Sequence, residues 1–315
     1  MLDPDVLIER AIAGDRRALA RLITLVEDRR PGGGDLLAEL YRRGGGAWTV
    51  GVTGAPGAGK SSLVDRLIAH TRLSGAEIAV LAIDPSSPFS GGAVLGDRVR
   101  MQDHIGDSGV YIRSMATRGH LGGLSVATPQ ASAVLDGVGF PEIVIETVGV
   151  GQAEVAIASQ TDTTVVVVNP GWGDSIQAAK AGLLEVGDVF VVNKADRAGV
   201  EQTVTDLKQM LQLGGERPWW PPIVTTVATE GRGIDELHGA IHDHRHHLKQ
   251  DGRRDAEQRL RAAGAVRATV ELELRKLVAD QVDDAAWDSL IEDIIARRTD
   301  PWSAAQRLTD QLAQK

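Results

Sequence analysis

Apolar positions along the chain change their period twice, and the changes divide it into three stretches. Over residues 3–30 they fall at helical spacing: Leu7, Ile8, Ala11 and Ile12, then Leu19, Leu22, Ile23 and Val26. Gly14-Asp15 separates the two helices, Pro31-Gly32-Gly33-Gly34 ends the second, a short helix follows, and Gly44-Gly45-Gly46 reads as a linker. From 47 to about 245 short runs rich in β-branched residues alternate with helix-length segments: Trp48–Val52, Ile78–Ile83, Glu142–Glu146, Thr163–Val168, Asp188–Val192 and Ile223–Val227. Runs without polar alternation suit strands buried on both faces of a parallel sheet. Their separation by helices predicts βαβ units and a doubly wound α/β fold. After 250 the strand signal stops. The pattern predicts helices over 253–282 and 284–297 and a third entered at Asp300-Pro301. The expected organisation is an N-terminal helical extension (1–46), an α/β domain (47–248) and a C-terminal helical segment (249–315).

Two motifs in the middle stretch carry chemistry. Gly54-Ala55-Pro56-Gly57-Ala58-Gly59-Lys60-Ser61 fits G-x-x-x-x-G-K-[ST], and it lies between a predicted strand and a predicted helix that begins with Ser62. Its glycines let backbone N–H groups turn inward around phosphate oxygens, and the helix N-terminus adds partial positive charge. Lys60 supplies a point charge near the β/γ-phosphates and Ser61 a hydroxyl ligand for Mg²⁺. Asn193-Lys194-Ala195-Asp196 ends another predicted strand. An aspartate there can accept from the N1–H and exocyclic amine of guanine, a donor pair that adenine lacks. Asn193 would brace the loops, the Lys194 stem would cover the base, and Val227-Ala228-Thr229 takes the place of a second base-contacting loop.

Three carboxylates are candidates for the metal site. Asp84 and Glu146 end predicted strands, where ligands sit in open α/β sheets, and Asp97 lies on a Gly-containing loop. The N–H of Gly149, three residues past Glu146, is placed to meet a γ-phosphate, so that its loss on hydrolysis would release the loop. Gln152, Arg98, Arg113 and Arg118 are weaker candidates for the hydrolytic machinery. His238, His242, His244, His246 and His247 read as a solvated helix end, and Arg253, Arg254, Arg259, Arg261 and Arg267 as a solvated helix face.

Composition narrows the function classes. The 315 residues are 43% hydrophobic and 24% charged, enough to bury a full core, and contain no cysteine, so disulfides, thiolate metal sites and cysteine nucleophiles are excluded. A formal net charge of −9 argues against non-specific nucleic-acid binding and requires that attraction for a polyphosphate be local. No apolar run approaches the roughly 18 residues of a membrane helix, and the N-terminus does not read as a signal peptide, so a cytoplasmic location is expected.

Taken together, the blocks GAPGAGKSS (54–62), DPSSPFSGGAVLGDRVRM (84–101), RGHLGG (118–123), ETVGVGQAE (146–154) and NKAD (193–196), with GDRRALARLITLVEDRRP (14–31), resemble the methylmalonyl-CoA mutase-associated GTPases, the MeaB-like or ArgK-like family. The resemblance implies a GTPase with helical extensions that uses GTP/GDP and Mg²⁺, with Ser61, Asp84, Asp97 and Glu146 at the metal and switches. It also implies a homodimer formed through the C-terminal helices, and a chaperone that gates cofactor loading of an adenosylcobalamin-dependent acyl-CoA mutase and protects or rescues it. A P-loop kinase or ATPase, as in an older arginine/ornithine transport label, is the alternative.

Overall fold

The structure, a computed structural model, describes residues 4–84, 101–104, 106–116, 127–147, 156–171, 181–215, 217–282 and 284–313. Among these, seven strands form one sheet: β1 (Trp48–Gly54), β2 (Ile78–Asp84), β3 (Val110–Ala116), β4 (Glu142–Thr147), β5 (Thr163–Val168), β6 (Val189–Asn193) and β7 (Ile223–Thr226). They lie in the order β3-β2-β4-β1-β5-β6-β7, and every pairing is parallel. The chain leaves β1 for β2 across β4, and later leaves β4 for β5 across β1. This reversal opens a crevice at the carboxyl ends of the central strands, where ligands bind in such folds. The central strands are buried on both faces, as their unbroken apolar runs require. The sequence pattern missed β3, which lies on the sheet edge and carries Arg113 and Ser114 among its apolar residues.

Alternation along the strands divides the core. Ala79, Leu81, Ile83, Ile143 and Ile145 face one side, packed under α1 (Pro4–Ile12), α2 (Arg16–Glu27), α3 (Gly33–Arg43) and α5 (Ala127–Val138). Val50, Val52, Val80, Val144, Val165 and Val167 face the other, under α4 (Lys60–Leu73) and α8 (Ile234–Lys249). Val166, Val168, Phe190 and Val192 pack with α6 (Ala181–Val186) and α7 (Val200–Leu213). The helix α2 starts where Asp15 accepts from the N–H groups of Arg17 and Ala18, and it buries Leu19, Leu22 and Ile23. Burial of each such side chain contributes about 1.5–3 kcal/mol. Arg113 donates to Glu27 and Thr24 of α2, so it ties the N-terminal helices to the edge strand and is not a free charge beside the phosphate loop.

Gly44-Gly45-Gly46 is not a slack linker. The carboxylate of Asp136 on α5 accepts from the N–H groups of Gly45, Gly46 and Ala47, which fixes the entry to β1. Asp136→Ala would leave three donors without that acceptor. A loss of about 1–3 kcal/mol is expected, read as a lower urea midpoint at unchanged m-value.

The basic and histidine-rich stretches are likewise more engaged than their sequence suggests. Asp162, 5% exposed, accepts from Arg261 and from both the N–H and hydroxyl of Thr49. Arg254 donates to the Ala47 carbonyl and lies 5.0 Å above the Trp48 ring. Both arginines belong to α9 (Arg253–Gln281), whose first turns are thereby bound to the starts of β1 and β5. His244 is buried: its Nδ1 meets the Thr163 hydroxyl at 3.0 Å and its Nε2 lies 3.5 Å from the Asp188 carboxylate. Burial, then the neighbouring His247, depresses His244 from 6.5 to about 4, while Asp162 opposes this. Burial pushes Asp188 from 3.8 up to about 7, assisted by Glu257 and opposed by the Thr164 N–H and Arg261.

The two shifts have opposite linkage. Between about pH 4 and 6.5 the unfolded chain gains a proton on His244 that the folded chain refuses, which favours unfolding as pH falls. Over the same window the folded chain gains a proton on Asp188, which favours folding as pH falls. The pair is therefore nearly flat in acid, and Asp188→Asn exposes the histidine alone. Urea midpoints for this variant, relative to the parent, are expected to fall progressively from about pH 6.5 to about pH 4; a constant gap would refute the coupling.

The chain divides into two compact units, 1–261 and 262–315. The second holds the rest of α9 with α10 (Asp284–Ile295) and α11 (Pro301–Ala313), the last capped by Asp300. On this part of α9, Val266, Val270, Leu274 and Leu277 are exposed. No helix among the described residues is long and apolar enough to cross a membrane.

Candidate functional site

The crevice at the carboxyl ends of β1, β4, β5 and β6 collects the chemistry-bearing residues. β1 ends in Gly54, whose φ of 132° and close approach to β5 admit no side chain: a Cβ would run into the Val167 carbonyl. The loop then passes through Ala55, Pro56, Gly57 and Ala58 to Gly59, at φ 90°, and α4 begins at Lys60. A Cβ on Gly59 would strike the Asn193 amide. The Lys60 ammonium lies across the loop, donating to the carbonyls of Gly54 (2.8 Å) and Ala55 (3.0 Å). N–H groups at the start of α4, around Ser61 and Ser62, face the same end of the helix, the end that favours anions.

Beside it, β4 runs in register with β1 and β2, so Glu146 stands opposite Val52 and Ala82. The Ser61 hydroxyl donates to Glu146 Oε1 at 2.7 Å, and both residues are buried. Buried carboxylate and hydroxyl oxygens at the mouth of a phosphate loop are the hard donors that Mg²⁺ accepts. One strand away the backbone of Asp84 closes β2. The side chain of Asp84 lies outside the described residues, as do Asp97, Gly149, Gln152, Arg98 and Arg118.

The base-reading segment is fastened directly to the phosphate loop. Asn193 ends β6, and its Nδ2 donates to the Ala58 carbonyl at 2.8 Å. Its Oδ1 accepts from the Thr226 hydroxyl (3.0 Å) and the Ala228 N–H (3.1 Å). One buried side chain thus joins the phosphate loop, N-K-A-D and the segment Val227-Ala228-Thr229. Lys194 takes a left-handed conformation (φ 60°), costing about 1–2 kcal/mol for a non-glycine residue. Its ammonium reaches the Gly57 carbonyl at 2.7 Å, which draws its stem across the gap between the loops. Asp196 is exposed at the rim. Asn169, one residue past the fully buried β5, also reaches Gly57, through its Nδ2 at 3.4 Å. The sequence reading passed over Asn169, although its place at a strand's carboxyl end is the same signal that singled out Glu146.

Among the described residues, no group of three or more His, Cys, Asp or Glu could hold an ion. The correction to the solvated-end reading is His244, which is core.

A G-x-x-x-x-G-K-S loop between strand and helix, bound through an N-K-x-D loop to a second base-side segment, defines a P-loop GTPase. A Pyrococcus abyssi protein described as a GTPase is 46% identical to the chain over 312 residues, 98% of this chain and 96% of the relative. GTPase ArgK of Escherichia coli is 36% identical over 255 residues, 78% of this chain and 77% of its own length. A Caenorhabditis elegans protein named methylmalonic aciduria type A homolog, mitochondrial, is 34% identical over 263 residues, 76% of this chain and 66% of its own length. Among solved structures, one titled LAO/AO transport system kinase superposes with a TM-score of 0.72 at 27% identity, covering 98% of this chain and 97% of that one. The chain belongs to the family described as methylmalonyl Co-A mutase-associated GTPase MeaB, whose model matches residues 19–283. It is accordingly a GTPase that binds guanine nucleotide.

Proposed function

We propose that the chain couples Mg²⁺-dependent GTP hydrolysis to the service of an adenosylcobalamin-dependent acyl-CoA mutase, gating cofactor loading and protecting or reactivating the mutase. The observation that supports the nucleotide part is the fastening of residues 54–61 to 193–196 by Asn193 and Lys194, as expected if the two segments serve one nucleotide. In this reading Gly54–Ser62 cradle the phosphates by their N–H groups and Lys60 neutralises the β/γ charge. Ser61, Asp84, Asp97 and Glu146 hold Mg²⁺, directly or through its water. Held by these oxygens, the ion would supply positive charge that offsets charge developing on the phosphates. Gly149 senses the γ-phosphate, Asn193, Lys194 and Asp196 take the guanine, and Val227-Ala228-Thr229 closes its far side.

The partner is supported by the family's description and by the name of the nematode relative. The exposed apolar stripe Val266, Val270, Leu274, Leu277 supports a homodimer built on segment 249–315, with the GTPase domain at 47–248 and the helical extension at 1–46.

The experiment is a pull-down of candidate cobalamin-dependent mutases by the full chain in GDP and in a non-hydrolysable GTP analogue, with GTP turnover measured in parallel. A mutase retained in one nucleotide state and accelerating turnover is the expected result. Absence of any retained mutase would overturn the partner while leaving the GTPase intact. Transfer of the γ-phosphate to an acceptor other than water would favour the kinase reading that one structural relative's title suggests.

A further inference from the structure

The sequence motifs account for both ends of a nucleotide, but not for what holds the second base-side loop. That loop is a single 3-10 turn, Ala228–Glu230, between β7 and α8. A turn this short leaves carbonyls without helical partners. The Thr229 carbonyl, and the Ala228 carbonyl alongside the Gly231 N–H, accept from an unexpected quarter. Arg66, on the second turn of α4, donates from Nε to the Ala228 carbonyl at 3.1 Å and from Nη2 to the Thr229 carbonyl at 3.4 Å. The opposite flank of the turn is held by Asn193, through the Ala228 N–H. The main chain at Ala228 is therefore gripped on both sides, once from N-K-A-D and once from the phosphate-binding helix.

Arg66 is exposed, and holding an exposed arginine in one rotamer carries an entropic cost. A surface arginine spent on two neutral carbonyls adds little to stability, which points to a role in placing the loop. Guanine presents N1–H and the 2-amino group to a carboxylate, and beside them, on C6, an oxygen that needs a donor. With Asp196 on the first two groups, the oxygen falls to the segment that Arg66 fixes.

We propose that Arg66 is a positioning residue for guanine selectivity. It sets the main chain at 228–229 so that the loop can discriminate at the C6 oxygen, and it ties that discrimination to the helix that begins at Lys60. The inference rests on the reading of 193–196 and 227–229 as the two sides of one base site.

The test uses the full chain and four ligands: GDP, inosine diphosphate (which lacks the 2-amino group), 6-thio-GDP (which keeps N1–H and the amine but replaces the C6 oxygen by a poor acceptor) and inorganic tripolyphosphate. In Arg66→Ala the preference for GDP over 6-thio-GDP is expected to shrink at least about fivefold. The preference for GDP over inosine diphosphate and the affinity for tripolyphosphate should stay within about twofold, and Arg66→Lys should recover part of the lost discrimination. Equal weakening of all four ligands would overturn the proposal in favour of general loosening, and so would an unchanged 6-thio-GDP ratio. If Arg66→Ala does not fold, the Lys variant carries the same comparison, since a lysine cannot engage two carbonyls with one planar fork. Asp196→Asn in the same panel separates the two readings. If it leaves the preference for GDP over inosine diphosphate untouched, the base site itself is wrong. If it abolishes that preference while Arg66→Ala alters nothing, only the role of Arg66 falls.

Discussion

Lys60→Ala is expected to lower kcat/KM for GTP by about 10²–10³-fold while far-UV circular dichroism and the urea midpoint stay near those of the parent. The ammonium is the one flexible point charge that the sequence places inside the loop, and it is held over the mouth by the carbonyls of Gly54 and Ala55. In a chain of net charge −9, little else in the overall field favours a triphosphate. The side chain is 6% exposed, so its charge acts on phosphate oxygens with less screening than a surface lysine would. Its removal leaves the carbonyls of Gly54 and Ala55 to accept from water at the mouth of the loop. Steady-state phosphate release with GTP, read beside the denaturation curve, separates the two consequences. A near-parental rate in the variant would contradict the role assigned to Lys60.

Asp196→Asn is expected to weaken GDP binding by about 100-fold or more and to raise the affinity for xanthosine diphosphate. Hydrogen bonds to a charged group contribute about 1.5–3 kcal/mol each, and guanine offers this carboxylate two donors. Because Asp196 lies at an exposed rim, the low end of that range applies. Xanthine carries an oxygen where guanine has its amine, so an amide at 196 donates where the carboxylate could only accept. Competition binding with the two diphosphates measures the exchange directly; an unmoved preference would remove Asp196 from the base site.

The parts of the site that were legible beforehand are those written in local spacing. The phosphate loop needs a strand, a turn of glycines and a helix start in one short run, and the structure has them at Trp48–Gly54 and Lys60–Leu73. N-K-A-D needs only the end of a strand. The brace predicted for Asn193 is present in three hydrogen bonds. What escaped depends on partners distant in sequence. His244 reads as one more polar residue on a charged helix until Thr163 and Asp188 are brought against it. Arg254 and Arg261 look solvated until Asp162 is seen beneath them, and three glycines look like a linker until Asp136 accepts from the N–H groups of Gly45, Gly46 and Ala47. The edge strand β3 escaped for a different reason: with a neighbour on one side only, it tolerates Arg113 and Ser114 and never presents an unbroken apolar run.

The threefold attachment of Asn193 bears on how a bound guanine nucleotide departs. With its amide shared by the phosphate loop and both base-side segments, the purine end cannot swing open while the phosphate end stays gripped. Dissociation then has no cheap first step. Anything that hastens nucleotide exchange would have to loosen that asparagine's contacts first, so the lifetime of the loaded state would follow from how firmly those three bonds hold.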